Sequence, residues 1–218
     1  GSLYDAFRER GVAAVGWSQL AAHAKPGIGR KELIAIYQTS EPEAKQGTVV
    51  SAASQTYRFV NEIQLGDWII TYSPPNRLYS IGKVVGPAEH RPEWAEQGMG
   101  LVRKVSWQDQ ELPRDSLSTS TKNSLGSTLT LFEVPPSGAI DVHAALKGKP
   151  SPAVDVEAEE VIADPLADIE SQALERMKDR VNELDWDDMQ QLVAGILRAM
   201  GYKTQVSPPG ADRGKDIV

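Results

Sequence analysis

The sequence predicts an α+β fold in which a small barrel of curved strands with flanking helices precedes a linker and a second unit. Two apolar runs, 68–72 and 78–85, flank the turn Pro-Pro-Asn-Arg and predict a β-hairpin. Residues 136–172 are rich in Pro, Ala and acidic residues, a composition typical of a linker. An amphipathic pattern over 185–200, followed by Gly-Tyr, predicts a helix and then a strand.

The first domain is predicted to span residues 3–135, with the linker at 136–172 and the second domain at 173–218. Gly82 lies inside the second hairpin strand, a position typical of a bulge or a barrel bend. The other predicted elements of the first domain are strands at 12–15, 101–107 and 129–134, and helices near 17–20, 30–37, 47–61 and 113–117.

The charge of the chain is unevenly distributed. The net charge is −7, but residues 3–135 contain equal numbers of basic and acidic side chains, and the excess acid lies mostly in 136–172. A neutral domain can still present a basic face, so the overall charge does not exclude a nucleic-acid partner.

Several classes of protein are disfavoured by composition. The chain has no cysteine, and its three histidines lie far apart, so neither a disulfide framework nor a thiolate or histidine zinc site is expected. No apolar run has the length of a membrane span, and no signal peptide is visible, since Gly1-Ser2 is typical of an expression tag. A cytoplasmic protein with no membrane partner is therefore expected.

The hairpin carries a resemblance to a known family. Gln-Leu-Gly-Asp-Trp-Ile-Ile-Thr-Tyr at 64–72 and Arg-Leu-Tyr-Ser-Ile-Gly-Lys-Val at 77–84 resemble the hairpin motif of PUA-like barrels, with the EVE and YTH branches as the nearest comparison. Residues 102–107, 113–117 and 123–126 resemble such domains where they are fused to restriction endonucleases. The resemblance covers about 10–135 and implies a domain that reads a modified base.

Reading a modified base requires a pocket walled by aromatic side chains, into which the base leaves the stack. The resemblance implies that Trp17 and Trp68 wall this pocket, and Tyr72 and Tyr79 are further candidates. Each aromatic residue has the alternative role of a core residue. The candidate phosphate contacts are Arg77 at the hairpin tip and Arg114 before a helix, with a mixed, solvated surface as the alternative.

The last residues of the chain carry a second resemblance. After the helix and the Gly-Tyr turn, Asp212-Arg-Gly-Lys-Asp216 precedes an apolar pair, and this order resembles the start of an Mrr-like nuclease domain of the PD-(D/E)xK class. The resemblance implies that Asp216 binds Mg²⁺. Phosphodiester hydrolysis of this kind uses carboxylates that hold the metal against the scissile phosphate. The alternative for Asp216 is an ordinary acidic residue at the start of a strand.

The predicted helix departs from the family pattern at one point. The family has a Phe-Glu pair where this chain has Met189-Gln190, so Gln190 stands at the position of a carboxylate that Asp187 or Asp188 could replace. The sequence stops before the second carboxylate and the lysine of the motif, and we therefore expect this 218-residue chain not to cut DNA.

The resemblances together imply a modification-dependent DNA restriction endonuclease. Its expected cofactor is Mg²⁺, its expected partner is DNA carrying a modified base, and homodimerisation through the nuclease domain is an open expectation. A non-catalytic reader of modified DNA or RNA, with the carboxy-terminal segment as an appendage, is the alternative. A regulatory protein whose nuclease domain has decayed is a third reading, which Gln190 keeps open. The sequence leaves the identity of the base open.

Overall fold

The structure, a computed structural model, describes residues 3–127, 130–149 and 165–206. The chain divides into two units, Gly1–Asp168 and Ile169–Val218. Within the described residues, no helix combines the length and the apolar character needed to cross a bilayer. The first unit contains the sheet and most of the helices.

The first unit mixes helices with one antiparallel sheet, as the α+β prediction expected. Its strands are β1 (Val12–Val15), β2 (Trp68–Ser73), β3 (Leu78–His90), β4 (Leu101–Trp107) and β5 (Leu112–Pro113). Its described helices are α1 (Tyr4–Arg10), α2 (Ser18–Ala21), α3 (Arg30–Ser40), α4 (Gln46–Tyr57), α5 (Thr119–Ser124) and α6 (Pro136–Leu146), with a π-helical turn at Arg58–Glu62 and 3₁₀ turns at Pro92–Gln97 and Arg114–Ser116.

The sheet is a curled half-barrel with the strand order β1-β4-β3-β2, and β5 pairs with β3. The pairing of β3 with β4 shifts between Val84 and Ala88, which marks a β-bulge in the long strand. Gly82 lies before this bulge, and its lack of a side chain allows a close approach of β4. A Cβ there would stand 2.6 Å from a side-chain carbon of Val105, so only glycine allows β4 to approach so closely.

Two predictions about the end of the first unit differ from the structure. Residues 130–134 form no strand, although a strand was predicted over 129–134. Pro136–Leu146 forms α6, although the composition predicted that a linker begins at 136. The helix forms because Pro136 suits a first turn and because Val142, Ala145 and Leu146 pack on the core beside Tyr79 and Ile81.

Arg103, on β4, joins three parts of the first unit. Its side chain is 4% exposed, and its guanidinium donates to the carbonyls of Phe59 at 2.7 Å, Val60 at 3.0 Å and Gly86 at 3.2 Å. Burial lowers the pKa of Arg103, and the negative charge of Asp67 opposes that shift. Arginine keeps its charge in proteins, so the contacts are charge-assisted hydrogen bonds that hold the π-helical turn against the sheet.

A second polar cluster lies under α1. The Tyr4 hydroxyl donates to Glu111 Oε1, and Arg8 donates to Ser80 Oγ at 2.6 Å while it lies 3.8 Å from Glu111. Burial, and then the hydrogen bond to Glu111, raise the pKa of Tyr4 to about 12. The cluster attaches the amino-terminal helix to β3 and to the residue before β5.

Replacing Arg103 by alanine should destabilise the first unit strongly. The substitution leaves three buried carbonyls without their donor, and losing one partner of a buried charged contact costs roughly 3–5 kcal/mol. Lys104→Ala is the matched control, because its exposed side chain is next on the same strand and should change stability by less than about 0.5 kcal/mol. Urea unfolding followed by circular dichroism measures both. Equal stability of the two variants would contradict this role for Arg103.

We expect the first unit to lose stability at alkaline pH because of the Tyr4 cluster. The folded pKa is about 12 and the unfolded value 10, so the stabilisation is present below pH 10 and is lost as the pH rises towards 12. Urea unfolding from about pH 9 to about pH 12 should show a steeper decline for the wild type than for Tyr4→Phe. Tyr202→Phe, at an exposed tyrosine, should decline as the wild type does. Parallel curves for Tyr4→Phe and the wild type would contradict the prediction.

Candidate functional site

A cavity of about 520 Å³ lies between the hairpin, the 130–134 segment and α6. Its volume is in the range of small-molecule sites. Residues 130–134, which form no strand, line it between the sheet and α6. Its apolar lining includes Ile63, Ile70, Ile81, Val84, Phe132 and Val142.

Trp68 forms an aromatic wall of the cavity. It is the first residue of β2, pairs in register with Lys83 of β3 and is 45% exposed. The Lys83 ammonium lies 4.7 Å from the centre of the Trp68 ring, and the His143 ring meets it edge-on at 5.0 Å and 72°. An indole that is only half covered, and held by a cation and a second ring, offers apolar surface for stacking.

His143 reaches the cavity because α6 is anchored at its middle. Asp141, one turn before the end of the helix, is 2% exposed and accepts hydrogen bonds from Ser118 N at 3.0 Å and Ser118 Oγ at 2.8 Å. Ser118 also caps α5 by accepting from Thr121 N at 3.2 Å. The Asp141 contact fixes the rotation of α6, and His143 then lies against Trp68.

The rim of the cavity is mostly acidic. Glu62, Asp67 and Glu133 line it, with Arg58 as the guanidinium among the lining residues. Arg58 Nε lies 3.6 Å from Glu62 Oε2. The other oxygen of this carboxylate, Oε1, forms an ion pair with the Arg30 guanidinium at 2.9 Å. This charge disfavours a phosphate inside the cavity, whereas carboxylates can accept hydrogen bonds from the amino groups of a base.

The other aromatic candidates do not line the cavity. Trp17 is half-buried and packs against two core clusters that include Leu20 and Phe59. Tyr79 is 2% exposed, and its ring lies 4.6 Å from that of Tyr72. Tyr72 packs against the core cluster of Tyr79. The structure therefore places Trp68 on the cavity and the other three aromatic candidates in the packing of the first unit.

The two predicted phosphate contacts act instead within the fold. Arg114 is 3% exposed and donates to Tyr79 Oη at 2.6 Å and to the Lys122 carbonyl at 3.2 Å, so its guanidinium makes contacts within the fold, and its role in phosphate binding stays a prediction from the sequence. Arg77 has a left-handed backbone, with φ of 54°, and pairs with Asp115 at 2.6 Å. Its carbonyl accepts from Arg114 N at 2.9 Å, and these contacts hold the hairpin tip.

The second unit contains α8 (Trp186–Ala199) and α7 (Pro165–Asn182) from Ile169 onward. Asp185 caps α8 by accepting from Asp188 N at 2.9 Å, as the sequence predicts for this residue type. Asp187 is exposed in the first turn, and Gln190 is 5% exposed. Residues 202–205 are not strand, and Val206 forms a single bridge, where a strand was predicted over 203–207.

The predicted metal ligand Asp216 lies outside the described residues. Among the described residues, no three His, Asp or Glu side chains are grouped so that they could hold a metal ion. The described part of α8 therefore does not itself form a Mg²⁺ site, and Asp187 and Gln190 stay candidates from the sequence.

Sequence reasoning missed His143, Phe132 and Glu133 as site residues. His143 lay in the segment assigned to the linker, and the other two lay in a predicted strand. The signal that could have found His143 is the helical spacing of Ala139, Val142 and Leu146 after a Pro-Pro pair. No signal in the sequence pointed to Phe132 and Glu133, because their position follows from how 130–134 crosses the open side of the sheet.

Comparison with known families gives two matches. A family described as a domain of unknown function (DUF8426) matches residues 1–134, and a family described as a restriction endonuclease (Mrr_cat) matches residues 181–218. The second match supports the resemblance of the carboxy-terminal part to Mrr-like nucleases. No curated protein and no solved structure matches the chain. The first family carries no described function, so the PUA-like resemblance stays a prediction.

Proposed function

Because this chain belongs to the DUF8426 family of domains of unknown function, and its residues 181–218 match a restriction endonuclease family, we propose that the protein is a modification-dependent DNA restriction endonuclease. The first unit reads a modified base in DNA, and the Mrr-like domain hydrolyses the phosphodiester backbone. The cavity walled by Trp68 is the observation that carries the reading function.

The cavity has the features that binding of an extruded base requires. It offers a half-exposed indole, the rings of Phe132 and His143 and an aliphatic floor, and bases leave the stack into pockets of this kind. The carboxylates on its rim supply hydrogen-bond acceptors for a base edge and oppose entry of the phosphate. These two properties together support a base, rather than a whole nucleotide, as the group that enters.

The cutting function is supported by the match at 181–218. We propose that Asp216 contributes a carboxylate to a Mg²⁺ site of the PD-(D/E)xK type. The metal would supply Lewis-acid stabilisation of the phosphate and an activated water. On α8, Asp187 is exposed at the first turn, and Gln190 is buried.

A second candidate function follows from Gln190. The resemblance places a carboxylate at this position, and an amide is a weaker metal ligand that carries no charge. A reader of modified DNA or RNA that does not cut, with a decayed or appended carboxy-terminal domain, is therefore the alternative.

Removing the Trp68 ring should weaken binding of modified DNA. Stacking of a base on an aromatic side chain contributes about 1–3 kcal/mol, so Trp68→Ala should raise the Kd for a modified duplex roughly 5- to 150-fold. Fluorescence anisotropy with duplexes carrying methylated, hydroxymethylated or plain bases measures this change.

Trp186→Ala is the matched control for Trp68→Ala. Trp186 is similarly exposed, at 55%, and lies on α8 in the second unit, so its removal should leave discrimination unchanged. Equal affinity of the wild type for modified and plain duplexes, unaltered by Trp68→Ala in a folded protein, would refute the reading function.

Replacing Asp216 should separate cutting from reading. In a form of the protein that contains the whole nuclease domain, Asp216→Ala should abolish Mg²⁺-dependent cleavage of modified DNA because a metal carboxylate is lost, while its Kd for that DNA stays within about twofold. Gel analysis of cleavage with and without Mg²⁺ measures the first effect. Full cleavage by this variant would contradict the assignment.

Asp187→Ala and Gln190→Glu test the helix positions in the same assay. Loss of cleavage in Asp187→Ala would assign the helix carboxylate to this residue. If the wild type does not cleave and Gln190→Glu does, the result would favour a protein whose nuclease domain has decayed over an active endonuclease.

A further inference from the structure

A second depression, of about 820 Å³, adjoins the cavity walled by Trp68, which is called the base cavity below. Trp68 and His143 line both, so the same pair of rings borders the two spaces. The rest of its lining comes from the end of β4, the loop that follows it, and the end of α6. These residues are Trp107, Gln108, Asp109, Gln110, Leu146 and Lys147.

The fold holds the parts of this depression in place. The Trp107 indole donates to the Phe7 carbonyl at 2.9 Å, and Gln108 N donates to the Ile81 carbonyl at 2.8 Å. Gln110 reaches across to the Leu146 carbonyl at 3.4 Å, which links the loop to the end of α6. The depression is thus built on the sheet, and not on a free loop.

The side chains that line it suit a nucleotide. The Gln108 side-chain amide makes no hydrogen bond with any described residue, so its donor and acceptor are both available to a ligand. Lys147 presents an exposed ammonium at the end of α6, and Lys83 adds a cation beside the shared Trp68 ring. Asp109 is the carboxylate of this lining, and it would direct a phosphate away from the loop and towards Lys147.

We propose that this depression holds the nucleotide next to the base in the cavity, with Gln108 contacting its base and Lys147 its phosphate. The inference rests on the proposed function. Trp68 and His143 border both spaces, so the two spaces are neighbours, as two consecutive nucleotides of one strand are.

This arrangement makes Gln108 a determinant of sequence context. A glutamine amide pairs with the N6 and N7 positions of adenine, and a carboxylate accepts from N4 of cytosine. Wild-type protein should therefore prefer adenine beside the modified base. Gln108→Glu should move the preference towards cytosine, and Gln108→Ala should remove it without affecting the central base.

The test uses the 218-residue chain and duplexes that carry one 5-methylcytosine, one 5-hydroxymethylcytosine, one N6-methyladenine or no modification, each with all four bases at the two adjacent positions. Fluorescence anisotropy measures the Kd of every duplex. We expect adenine at one adjacent position to improve the affinity of the wild type about tenfold over the other bases. Gln108→Ala should reduce that ratio to about one, and Gln97→Ala, at an exposed glutamine outside both spaces, should keep it.

The outcomes separate this inference from the function on which it rests. If the wild type discriminates the central base but binds all adjacent bases equally, the adjacent-nucleotide site is refuted and the base cavity stands. If a preference exists but persists in both Gln108→Ala and Gln108→Glu, Gln108 is not its source and the inference is also refuted. If the central modification changes nothing, both proposals fall. Circular dichroism of each variant confirms that it remains folded.

Discussion

The buried guanidinium of Arg103 is the contact on which the rest of the first unit depends. The carbonyls at the end of a helix have no partners within it, and those of Phe59 and Val60 lie against the sheet where water cannot reach them. Arg103 satisfies both, and it adds the Gly86 carbonyl next to the bulge of β3. One side chain thereby connects the π-helical turn with two strands. An apolar residue of equal volume would fill the space but leave these acceptors unsatisfied.

The cavity follows from that arrangement. The π-helical turn carries Arg58 and Glu62 to one side of the opening, and its position is set by Arg103. On the other side, α6 is held by the contact between Asp141 and Ser118. The Asp141 side chain is buried, as that of Arg103 is. The space between them remains because 130–134 cross the open edge of the sheet without pairing as a strand. Buried polar contacts at two places therefore keep an apolar space open between them.

The charge of the first unit is consistent with reading a base. The two arginines predicted as phosphate contacts make internal contacts, Arg114 in a buried position and Arg77 in its pair with Asp115. The lysines that remain at the site, Lys83 and Lys147, lie beside the shared aromatic wall and not inside the cavity. Under the proposed function, phosphates would meet cations outside and the base would meet carboxylates and rings within.

The sequence by itself determined the elements whose pattern is local. The apolar runs around Pro-Pro-Asn-Arg specified the hairpin, and the apolar stripe after Asp185 specified α8. Tertiary structure alone decided which charges and rings are buried. In the sequence Arg103 and Arg114 resemble surface cations, but carbonyls from distant segments surround Arg103, and Arg114 donates to the Tyr79 hydroxyl and the Lys122 carbonyl. Tyr79 is buried in the same way, whereas Trp68 is half-exposed. It also turned a segment of linker-like composition into α6, because Val142 finds apolar contacts on the sheet that the local sequence does not contain. Periodicity records which face of an element is apolar, but the partner of that face lies elsewhere in the chain.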